Sequence, residues 1–133
     1  MKKHVGVRPR LGLGGTDHGY WNKATWGIDL DVKAVHSIEG DHVGVVVGAS
    51  EHRLFVLERV WASAAGSADL LAAVRDKERF EGATVEIVDE HGHGVAKYQL
   101  GVVYVAFLEH EIAGDGVMLE RIGLRYLDVS FSG

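Results

Sequence analysis

From Leu54 to Phe131 the chain reads as strand after strand, with one amphipathic segment interrupting them. LFVLERVW leads to SADLLAAVRDK, then ATVEIVDE, a glycine–histidine turn, KYQLGVVYVAFLEHE, a glycine break and VMLERIGLRYLDVSF. A run of strands with a single helix buries its apolar faces by closing into a barrel or sandwich, the helix covering an open end or a seam. The 133 residues leave room for one core. The expectation is a mainly β, single-domain barrel of about six to eight antiparallel strands with one short flanking α-helix, at about 67–78.

The 18 glycines and single proline suit that expectation, because strands stay uninterrupted and tight turns are available. With no cysteine there are no disulfides or thiolates, so histidines and carboxylates are the metal ligands on offer. The net charge of −5 argues against general affinity for nucleic acid, although Lys2, Lys3, Arg8 and Arg10 make the start basic. No apolar run approaches the ~20 residues of a membrane helix, and the first residues lack the apolar core of a signal peptide. These features predict a cytoplasmic protein without a membrane span.

Residues 1–23 are glycine-rich and show no sustained period, which predicts a flexible or interaction arm ahead of a barrel domain over 24–133. Ile28, Leu30 and Val32 alternate with Asp29, Asp31 and Lys33, the pattern of a strand with one wet face. HVGVVVG (42–48) fits either a buried strand or one arm of a long hairpin. Ser67 stands where an N-cap belongs, with Asp69 in the first turn, and Leu70, Leu71 and Val74 form an apolar stripe. Tyr98, Leu100, Val102, Tyr104, Ala106 and Leu108 share one face of a long strand. Its other face holds Val103, Val105 and Phe107, as it would beneath a helix or at a subunit contact.

LERVWASAAGSADLLAAV, FEGATVEIVDE, HGHGVAKYQLGVVYVAFLEHE and GVMLERIGLRYLDVSFS together resemble the haemolysin-coregulated protein (Hcp) family, the tube component of type VI secretion systems, and the related phage tail-tube proteins. The resemblance covers about 55–131, with Glu120, Ile122, Leu124 and Tyr126 as matching positions in the closing strand. It departs at the basic, glycine-rich start. It implies a barrel with one helix that forms hexameric rings stacking into a hollow tube, with no substrate turned over and no cofactor. The implied partners are further copies of the chain, sheath, spike or baseplate proteins and secreted cargo, with export through the apparatus. Under this reading Trp61, Leu70, Leu71 and Val74 pack the helix on the barrel. Val103, Val105, Phe107, Arg121 and Arg125 form the subunit interface.

Other constellations have simpler readings. His91 and His93, with Glu90 beside them, are weak candidate metal ligands, and a polar turn is the reading that accounts for them. Glu109, His110 and Glu111 alternate sides of one strand and do not converge. Asp29 and Asp31 share a face with Lys33 and are accounted for by solvation. GLGG (12–15) lacks the following Lys-Ser/Thr of a phosphate loop and reads as a hinge, and no serine sits in a nucleophile elbow. Tyr20, Trp21 and Trp26 offer an alternative function: a small β-barrel binding module stacking on carbohydrate or anchoring a protein partner.

Overall fold

The computed structural model describes residues 6–27, 30–36, 43–49 and 54–133, the second and third stretches as backbone. In chain order the elements are β1 (Arg8–Leu13), β2 (Thr16–Tyr20), β3 (Lys23–Thr25), β4 (Leu30–His36), β5 (Val43–Ala49), β6 (Leu54–Val60), α1 (Ala64–Arg75), β7 (Arg79–Val88), β8 (Gly94–Ile112) and β9 (Met118–Ser132). The fold is mainly β, as the strand series predicts. Seven antiparallel strands form one curled, half-barrel sheet in the order β2-β1-β7-β8-β9-β6-β3, and β4 and β5 pair separately.

That order forces the sheet to curl. β2 and β3 stand at its opposite ends, yet only Trp21 and Asn22 separate them in the chain, a reach of at most about 11 Å. The two ends therefore meet. Trp21 N–H donates to Pro9 O of β1 at 2.8 Å and Asn22 N–H donates to Glu58 O of β6 at 2.9 Å, so two consecutive residues bond to the second strand from each end of the sheet. Inside lie Leu11, Leu13, Trp21, Phe55, Leu57, Leu70, Val85, Leu100, Val103, Ile122, Leu124 and Tyr126.

Residues 8–20 are therefore not an arm. They form a hairpin whose first strand pairs with β7 from Arg8↔Val88 to Leu13↔Ala83, placing Leu11 and Leu13 in the core. The barrel begins well before residue 24. GLGG is not a hinge either: Gly14 and Gly15 have φ of 58° and 87°, the two left-handed residues of a tight hairpin turn closed at Leu13↔Thr16. A strand with two inward leucines has too short an alternation to stand out, and its partner lies 70 to 80 residues away.

HVGVVVG supplies a hairpin arm, pairing from Leu30↔Ala49 to His36↔Val43. Ile28, Asp29 and His42 lie outside the described residues, as do the side chains of Asp31 and Lys33. The helix starts three residues earlier than expected, with Ser63 as N-cap accepting from Gly66 N–H at 3.1 Å. Ser67 is not a cap but a buried residue on the inward face, with Leu70 and Ala73. Leu71 is 53% exposed, so it takes no part in helix packing; the inward stripe runs i, i+3, i+6 through Ser67, Leu70 and Ala73, with Val74 beside it.

β8 does not keep one face inward. Val102 has φ of 50°, and the buried set changes from Leu100 to Val103 and Val105 across it. A bulge at Ala106, between Val105↔Leu124 and Phe107↔Gly123, shifts the phase again and turns Phe107 outward. Val103 and Val105 are 0% and 6% exposed inside the protomer, where α1 packs on β8. They are core residues and not a subunit interface.

Candidate functional site

Charge and hydrogen bonding concentrate in two places. The first is buried. β6 continues its inward phase Phe55, Leu57 to Arg59, and β9 opens its inward phase with Glu120 before Ile122 and Leu124. These two strands are paired, with Arg59 opposite Glu120, so the two charges are neutralised against each other. Arg59 Nε and Nη2 donate to Glu120 Oε1 at 2.9 and 2.8 Å. The other carboxylate oxygen accepts from Ser67 Oγ of α1 and lies 2.8 Å from His110 Nε2 of β8. Trp61 Nε1 donates to Ser67 Oγ at 2.9 Å. Arg59 Nη1 reaches across to the His18 carbonyl of β2 at 2.6 Å, and its guanidinium stacks 3.9 Å above the Trp21 ring.

Glu120 is 0% exposed, and burial by itself pushes its carboxyl up. The hydrogen bonds from Ser67, His110 and Arg59 outweigh that penalty and hold it below the ordinary glutamate value. His18 is displaced downward, first by burial and then by the nearby Arg59 cation. Ser67 gives its proton to a carboxylate and is itself buried, so the cluster offers no exposed nucleophile. Its work is to tie β2, β6, α1, β8 and β9 together.

The second place is on the surface. β7 pairs with β8 only as far as Arg79↔Tyr104, so Val105–Ile112 pairs with β9 alone. Among the described residues no strand pairs with the other edge of this overhang. Its outward face carries Phe107 over Gly123, where a Cβ would strike the ring. Beside it Arg121 donates to Glu58 at 2.8 and 3.2 Å and to Glu109 at 3.3 Å. A shallow depression of about 370 Å³ lies between Phe107, Arg121 and Lys23. Arg125 follows on the same outward face of β9, opposite Leu54 and Tyr104. At the tip, Ile112 is 73% exposed.

The other sequence candidates are dispersed. His91 and His93 sit in the β7–β8 turn, where the Asp89 carboxylate accepts both of their backbone N–H groups at 2.9 Å. Their rings are exposed with centroids 6.4 Å apart, and no group of three or more His, Cys, Asp or Glu able to hold a metal occurs among the described residues. Tyr20, Trp21 and Trp26 make no common platform. Trp21 is 1% exposed, Tyr20 is stacked under Arg8 at 4.0 Å, and Trp26 stacks on Phe55 at 4.7 Å with Tyr98 at its edge. Trp61 lies at the surface beside the helix start, tied down by its bond to Ser67. No helix among the described residues is long and apolar enough to cross a membrane.

Sequence reasoning missed Arg59 and Glu120 as a pair. The signal was partial: Arg59 shares a face with Phe55 and Leu57, and Glu120 shares one with Ile122 and Leu124.

No family model and no curated protein matches the sequence. Solved structures do. A chain of the PVC sheath–tube complex of an extracellular contractile injection system superposes with a TM-score of 0.73 at 11% identity, over 98% of this chain and 92% of that one. Hcp1 from Salmonella typhimurium gives 0.69 at 14% identity, over 96% and 86%. The chain has the Hcp fold. Hcp1 from Flavobacterium johnsoniae agrees, with a TM-score of 0.67 at 12% identity over 95% of both chains. The Hcp fold thus spans the N-terminal hairpin as well as the stretch whose residues resemble the family.

Proposed function

We propose that this chain is a structural, non-enzymatic tube subunit of a type VI secretion or phage-tail-like contractile injection apparatus, forming hexameric rings that stack into a hollow tube. The Hcp fold along nearly the whole chain carries this reading. The β8 overhang supports it, because an exposed strand edge is a template for pairing with another chain, and a head-to-tail contact that closes on itself makes a ring. Ring contacts use the backbone edge from Ala106 to Ile112 with the outward face bearing Phe107, Arg121 and Arg125. Sheath, spike or baseplate proteins and secreted cargo are the further partners, and the subunit assembles in the cytoplasm for export through the apparatus.

Light scattering after size exclusion, with negative-stain images of the same peak, tests the assembly. The expected mass is about six times 14.4 kDa, with a central hole in the images; a monomer or dimer would remove the tube reading. Phe107→Asp and Ile112→Asp should each give a folded monomer. Rings that persist unchanged in both would take this face out of the contact.

A further inference from the structure

The barrel does not close with a backbone ladder where β2 meets β6. β2 pairs with β1, β3 pairs with β6 over only Lys23–Thr25, and no backbone hydrogen bond joins β2 to β6 among the described residues. Side chains close the gap instead. Arg59 Nη1 donates to the His18 carbonyl, and Asn22 Oδ1 accepts from Val60 N–H at 3.0 Å. The Trp21 ring lies under the guanidinium, and its own Nε1 is buried without a partner among the described residues. Beside β2 itself the closing bond comes from one cation held by one buried carboxylate.

His18 stands on that line, half-buried, and its imidazole makes no hydrogen bond among the described residues that would hold an added proton. The charged groups around it are Arg59 on β6, Asp17 on its own strand, Asp69 on α1 and Glu120 on β9, with His110 of β8 on the far side of the carboxylate. Asp17 is already engaged by Arg10 at 2.5 and 3.2 Å. Glu120 is engaged by Arg59, Ser67 and His110. We infer that this seam is an acid-sensitive latch: a proton on His18 sets a second cation beside Arg59 and releases the Thr16–Thr25 segment while the β7-β8-β9 sheet stays folded. The depressed proton affinity of His18 is in keeping with this, because its neutral form is the one the closed seam accommodates. The inference is independent of the tube reading, since it concerns a single protomer.

Amide hydrogen exchange on the full chain at about pH 7.5 and about pH 5, corrected for intrinsic rates, reads the seam directly. Protection over 16–25 should fall relative to β9 on acidification. His18→Gln should abolish that fall, and His110→Gln should leave it in place. Unchanged protection in the wild type, an equal fall in His18→Gln, or a fall abolished by His110→Gln would each overturn the latch. Should His18→Gln fail to fold, His18→Asn takes its place: loss of the acid-dependent fall over 16–25 supports the latch, and an unchanged fall overturns it.

Discussion

At the scale of single residues, the pairing of Arg59 with Glu120 does most to define this molecule. A charge buried without its partner costs several kcal/mol, whereas a well-packed apolar replacement of both is often neutral. Glu120→Ala should therefore lower the unfolding free energy by about 3–5 kcal/mol, and the double variant Arg59→Met/Glu120→Leu by clearly less, both read from urea midpoints. Equal losses would mean that the Ser67 and His110 bonds matter more than the ion pair. Val102 is the second such residue. A β-branched side chain in the left-handed region carries about 1–2 kcal/mol of strain. Val102→Gly should thus be neutral or stabilising by up to about 1 kcal/mol, whereas Val103→Ala, emptying a core site one residue on, should cost about 1–3 kcal/mol.

At the scale of elements, α1 is held by its Ser67–Leu70–Ala73 face and by Ser63 at its start. Leu70→Ala should cost about 2–5 kcal/mol, and Leu71→Ala less than about 0.5 kcal/mol, by the same denaturant titration. The adjacent leucines look equivalent in sequence. The helical period of about 100° per residue puts them on different faces, and the true helix start, set by Ser63, decides which one points inward. β8 shows the same lesson for strands. Its alternation is legible, but the turnover at Val102 and the bulge at Ala106 divide the stretch into three phases. Val103 and Val105 pass to the core and Phe107 to the surface.

At the scale of the whole molecule, acid should weaken the fold in two steps. His18 has a lower proton affinity in the folded state than its ordinary 6.5, so the stability tied to its neutral form is complete above about 6.5 and is lost as pH falls through the folded-state value. Glu120 is likewise lowered from 4.5, so its contribution is present above that value and is lost as pH falls further. Urea unfolding across this range should show stability declining from neutral pH in wild type, with the upper step absent in His18→Gln. A flat profile between about pH 7.5 and about pH 5 would contradict the assignment of His18.

The sequence by itself determined the succession of strands, the helix among them and the apolar character of both faces of β8, because 2.0- and 3.6-residue periods are local properties of the chain. It also carried the likeness to tube proteins through the residues from about 55 to 131. What only the tertiary structure decided depends on partners far apart in the chain. The pairing of β1 with β7 turned an apparent arm into core. The meeting of both sheet ends at Trp21 and Asn22 curled the sheet. The register of β6 on β9 set Arg59 against Glu120, 61 residues away. Alternation tells which side chains share a face, and only long-range pairing tells which face is inside.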